Sequence, residues 1–111
     1  MTNVTPEVIQ GVCKRIVEQC NPDRVILFGS YAYGEPTADS DVDFLIIMSF
    51  EGRSVDKAVE IRMAVDIPFA CDLVIKTPED ARRRYEEFDP IMRYAFNHGK
   101  VLYERDRKRV A

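Results

Sequence analysis

Gly29-Ser30-Tyr31-Ala32-Tyr33-Gly34-Glu35-Pro36-Thr37-Ala38-Asp39-Ser40-Asp41-Val42-Asp43 stands between two apolar runs, Val25 to Phe28 and Phe44 to Met48. The first run is rich in strand formers and ends abruptly at Gly29, so it reads as a buried strand entering a tight turn. Asp41 to Met48 alternates and then becomes wholly apolar, which suits a second, central strand whose first residues carry acids. The spacing predicts a loop from Gly29 to Ser40.

Residues two apart on a strand face the same way, roughly 6 to 7 Å apart, so such a strand projects the carboxylates of Asp41 and Asp43 to one side. A lone D-x-D reads most simply as a polar loop end facing water. Here Asp43 is followed at once by Phe44, Leu45, Ile46 and Ile47, which places it at the mouth of a buried strand. An unpaired carboxylate is costly there, and a bound cation removes that cost. Magnesium is a hard, oxygen-seeking ion, usually held by one or two carboxylates together with substrate phosphates.

Asp72, between Cys71 and Leu73-Val74-Ile75, is a third acid inside an apolar strand. If that strand lies beside the second, Asp41, Asp43 and Asp72 form a cluster able to hold one or two ions. Two ions about 3.5 to 4 Å apart can activate an attacking hydroxyl and neutralise a leaving pyrophosphate in an in-line displacement at phosphorus. Asp72 then either ligates the ion nearer the acceptor or takes the acceptor's proton. The alternative reading is an acid tied up in an ion pair.

Gly29 lets the backbone approach a phosphate closely, and Ser30 adds a hydroxyl donor beside amides that can face an anion. Ser40, next to Asp41, is grouped with them as a nucleotide-binding candidate. Gly-Ser alone means little; directly after a buried strand and ten residues before a D-x-D it becomes specific. No lysine follows a glycine-rich phosphate loop, and there is no G-x-G-x-x-G.

Outward from this segment, Thr5-Pro6 reads as the cap and first position of a helix carrying Val8, Ile9, Val12, Cys13, Ile16 and Val17, stopped at Asn21-Pro22. Ser54 is a candidate cap for a helix to about Val65. Pro68 restarts the chain in extended form, and Ala70 to Lys76 reads as a third strand. Thr77-Pro78 starts a helix to about Glu87, Asp89-Pro90 caps another that ends at Gly99, and Val101 to Tyr103 is a last short strand. The expected fold class is α/β (α+β), a small mixed sheet of about four strands with helices packed on it.

The chain of 111 residues fits one domain, expected over residues 1–104 with a charged, solvated tail over 105–111. A net charge of -3 with interleaved signs offers no field to grip a nucleic-acid template. The longest apolar run falls far short of the roughly 20 residues that span a bilayer, and no signal peptide or lipidation motif is visible; the expected address is the cytoplasm. Cys13, Cys20 and Cys71 lack the paired spacing of a zinc site and read as small core residues. His98 reads as a helix-end residue near a C-terminal dipole.

The Gly-Ser turn, the D-x-D and the later strand aspartate together resemble the nucleotidyltransferase superfamily related to DNA polymerase beta. The segment is most similar to its stand-alone minimal nucleotidyltransferase group, over nearly the whole chain, including Gly99-Lys100-Val101-Leu102-Tyr103-Glu104. The resemblance carries over Gly29, Ser30, Asp41, Asp43 and Asp72. It implies transfer of AMP from ATP, with magnesium, to a tyrosine hydroxyl of a partner HEPN toxin, the chain acting as its antitoxin. Two alternatives stay open: a non-catalytic antitoxin that masks the toxin, and a homodimeric transferase for a small molecule. Many relatives carry arginine where this chain has Tyr31. Tyr31 and Tyr33 are expected to pack on the short turn, with stacking on a base or a partner as the other reading.

Overall fold

The computed structural model describes residues 4–105. The polar first residues 1–3 and most of the charged tail, 106–111, lie outside the described residues. Arg105 does not behave as tail. Its backbone N–H donates to the Asp23 carbonyl (2.9 Å), and its guanidinium donates to the Asp23 carboxylate (2.9 Å) and to the Asn21 carbonyl.

The first helix, α1 (Pro6–Cys20), forms where expected: the Val8 N–H donates to Thr5 Oγ1 (3.1 Å), Pro6 supplies a preset first turn, and Asn21 closes the helix in left-handed geometry at φ 49°. Its buried stripe of Ile9, Val12, Cys13 and Ile16 packs on one face of the sheet. Strands β1 (Arg24–Phe28), β2 (Val42–Ile47), β3 (Cys71–Lys76) and β4 (Lys100–Glu104) lie in the order β3-β2-β1-β4. β1 is antiparallel to both β2 and β4, whereas β2 and β3 are parallel. A parallel pair needs a crossover, and α3 (Ser54–Ala64) provides it.

Two expectations are corrected. The segment after Gly29 is not all loop: Ser30–Tyr33 forms one helical turn, α2, too short to show a period in the sequence. Ser54 does not cap α3, whose N-cap is Arg53; its hydroxyl instead donates to the Ile75 carbonyl (2.8 Å). The Arg62 guanidinium donates to the Cys71 carbonyl (2.7 Å) on the same strand. α3 thus occupies outward carbonyls of edge strand β3, groups that would otherwise invite another strand.

α4 (Pro78–Glu86) and α5 (Pro90–His98) return the chain from β3 to β4. Thr77 Oγ1 accepts from the Asp80 N–H (3.1 Å), and Asp89 Oδ1 accepts from the Ile91 and Met92 N–H groups (2.9 and 3.1 Å). Strand alternation divides the apolar side chains into two cores. Val25, Leu27, Phe44, Ile46 and Ile75 pack with α1 and α3, while Ile26, Leu45 and Ile47 pack with Ala81, Met92 and Ala95 of α4 and α5. A Cβ on Gly99 would fall 2.3 Å from the Ala95 carbonyl and 2.9 Å from the Leu27 carbonyl, so the end of α5 sits tight on β1 only because residue 99 has no side chain. Among the described residues no helix is long and apolar enough to cross a membrane.

Candidate active site

Side-chain parity puts Asp43 and Asp72 on the second face, the one that carries α4 and α5. On β2 the even residues Val42, Phe44 and Ile46 belong to the α1–α3 core, and the odd residues Leu45 and Ile47 belong to the other. On β3, Leu73 and Ile75 face the first core and Val74 the second. In the parallel β2–β3 register Asp43 stands directly opposite Asp72, a separation of about 4.8 Å between neighbouring strands. Asp41 lies one residue before β2 and is exposed, so the strand begins at Val42 rather than at Asp41.

The acids act on one another. The Asp43 carboxyl is pushed up to about 6, by burial first, then by the Asp72 charge, by the hydrogen bond it makes to Asp72 when protonated, and by the Asp41 charge. Among the described residues, none of the three takes part in an ion pair; Arg62, which reaches β3 from α3, is engaged with Cys71. Among the described residues, no three ligating side chains stand close enough to hold a metal ion as placed. The chemistry of the donors nevertheless fits a hard divalent cation. Asp43 and Asp72 are two carboxylates whose charges oppose one another, and among the described residues neither is in an ion pair; magnesium needs only one or two protein carboxylates when phosphates complete its shell. Asp41 supplies additional negative charge at the same end of the sheet.

The tighter hold of Asp43 on its proton has a measurable consequence for the metal-free protein. Between pH 3.8 and about 6 the unfolded chain has released the Asp43 proton while the folded chain still holds it. Stability therefore falls as pH rises through this window. The loss is on the order of 1–2 kcal/mol after allowance for solvent screening. Urea melts should show the fall for the wild type and lack it for Asp43→Asn, while at pH 7.5 magnesium should raise the Tm of the wild type only.

Gly29 touches this pair. It ends β1 at φ 80°, and a Cβ built there would lie 2.1 Å from Asp43 Oδ2. The glycine thus serves two local needs: a positive φ that side chains rarely adopt, and bare backbone against the Asp43 carboxylate. Ser30 opens α2, where the first N–H groups of a helical turn have no intrahelical acceptor. Ser40 is placed differently from these two. Its hydroxyl accepts from the Thr37 N–H (2.9 Å) and lies 3.4 Å from Thr37 Oγ1, so it shapes the loop that leads into Asp41.

Tyr31 is half-buried against the α1–α3 core, as expected of a ring that packs on the turn. Tyr33 instead packs on α5, against Tyr94, which the sequence did not single out, and His98, which sits at the helix end as expected. Its phenol is raised by burial first; a hydrogen bond from the Gly29 backbone opposes this, and Tyr94 and the Asp43 charge add smaller upward shifts. The cysteines are free, and burial raises the thiols, Cys13 to about 11, which agrees with inert core side chains. A cavity of about 520 Å³ between Arg24, Ile47, Arg82, Tyr85 and Phe96 lies at the opposite end of the sheet and contains none of the predicted site residues.

The class defined by this arrangement is a small α+β domain whose carboxylates stand at the open end of a mixed sheet, beside a glycine turn suited to phosphate. The chain belongs to the polymerase beta nucleotidyltransferase family, whose model matches residues 11–108. Its fold is similar to that of a protein described as a nucleotidyltransferase from Sulfolobus solfataricus. The two share 15% identity and a TM-score of 0.62, over 89% of this chain and 79% of that one. No curated protein sequence matches this chain.

Proposed function

We propose that the chain transfers AMP from ATP to a protein hydroxyl, a tyrosine of a HEPN toxin, and so acts as its antitoxin. The observation that carries the transfer chemistry is the Asp43–Asp72 pair, in register on adjacent parallel strands and flanked by the bare backbone of Gly29. Asp41, Asp43 and Asp72 would hold magnesium, which when bound supplies charge neutralisation for the triphosphate. Gly29 and Ser30 present backbone and hydroxyl to the phosphates. The acceptor oxygen attacks the α-phosphorus, a new P–O bond forms, the bond to the bridging oxygen breaks, and pyrophosphate leaves. The hydroxyl proton passes to Asp72, the exposed member of the pair.

The partner and the tyrosine acceptor are supported by the resemblance of the Gly29–Asp43 segment to minimal nucleotidyltransferases. With a HEPN toxin as partner, ATP and magnesium, the purified chain should add one AMP mass per modified tyrosine and silence the toxin. Mass spectrometry and a toxicity assay test both parts together. Absence of transfer, with Asp41→Ala neutralising the toxin as well as wild type, would leave only a masking role.

A further inference from the structure

The sheet face that carries Asp43 and Asp72 also carries α5, and the last turn of α5 reaches the same end of the sheet. Gly99 fixes this placement through its contacts with Ile26 and Leu27, two residues from Gly29. We propose that Tyr33, Tyr94 and His98 form the aromatic wall of the nucleotide cleft, on which the nucleobase of the donor stacks. This rests on the nucleotidyl-transfer reading and adds where the base is held.

Tyr33 connects the wall to the acids. Its N–H donates to the Gly29 carbonyl (3.3 Å), and Gly29 lies flush against Asp43. The rings of Tyr33 and Tyr94 are 4.8 Å apart and tilted by 46°, with His98 edge-on at 6.4 and 5.4 Å. A third of Tyr33 and half of Tyr94 are nonetheless open to solvent (38% and 52%), and neither ring belongs to either core. The arginines that stack on aromatic rings use others: Arg24 on Phe96, and Arg93 on Tyr85 and Phe88. An open aromatic pair beside a phosphate-binding turn matches the chemistry of a nucleobase, whose flat faces stack on tyrosine whatever the base.

Calorimetric titration of the whole chain with MgATP and with magnesium tripolyphosphate, which shares the phosphates and lacks the base, separates the wall from the phosphate site. Tyr94→Ala should weaken MgATP by about tenfold and leave tripolyphosphate unchanged, whereas Tyr94→Phe should bind both as wild type does. Equal weakening of the two ligands, or none of ATP, overturns the wall. So does a Tyr94→Ala protein that loses affinity for its acceptor alone. A wild type that binds tripolyphosphate no better than it binds sulfate removes the transfer reading itself, and the wall with it.

Discussion

Asp72→Asn is expected to lower nucleotidyl transfer by on the order of a thousandfold, about 4 kcal/mol of transition-state stabilisation, while leaving the fold as stable as wild type or slightly more so. The side chain is exposed, forms no ion pair among the described residues, and pushes its neighbour Asp43 toward protonation. Removing its charge therefore relieves repulsion at no cost in packing. An amide also cannot accept the acceptor's proton and is a poorer ligand for a hard cation. Single-turnover transfer with labelled ATP, run beside a urea melt, measures both quantities. Full activity in a folded Asp72→Asn protein would exclude Asp72 from the chemistry.

The second large effect is expected at Gly29. Alanine there places a methyl 2.1 Å from Asp43 Oδ2 and demands a φ of 80° from a residue with a side chain. Both penalties act together, and the fold should lose about 1–3 kcal/mol. Activity should fall by on the order of a hundredfold, because a misplacement of about 1 Å from the productive geometry suffices for that. The collision is with the carboxylate itself, so Gly29→Ala combined with Asp43→Ala should recover part of the stability lost by Gly29→Ala alone. A double-mutant cycle in denaturant measures this coupling. Strict additivity would mean that backbone strain, not the Asp43 contact, explains the glycine.

The two predictions pull in opposite directions on stability, because Asp72→Asn removes charge repulsion whereas Gly29→Ala adds a steric clash and backbone strain. Among the described residues, none of the three carboxylates at the acid end of the sheet forms an ion pair. Arg62 could have neutralised Asp72, yet its guanidinium is spent on the Cys71 carbonyl and thiol one residue away. It secures the edge of β3 and leaves the carboxylates for other ligands.

Local rules made much of this legible from the residues. Caps at Thr5, Thr77 and Asp89 satisfy helix ends with their own side chains, and alternation along a strand assigns faces without reference to anything distant. The Gly-Ser turn after one apolar run and the acids before another were therefore readable. Ser54 shows where such rules stop, because a hydroxyl bonds whatever acceptor the fold brings near. For Ser54 that is the Ile75 carbonyl across a crossover.

By itself the sequence determined which stretches are strands, that Asp43 and Asp72 each sit near the start of one, and that a glycine turn precedes the acids. Only the tertiary structure decided that β2 and β3 are parallel neighbours with Asp43 opposite Asp72, that Gly29 touches the Asp43 carboxylate, and that α5 brings Tyr94 and His98 beside Tyr33. The physical reason is range. Periodicity and capping are set within a few residues, whereas strand order and register are chosen by which apolar faces bury each other across the whole chain.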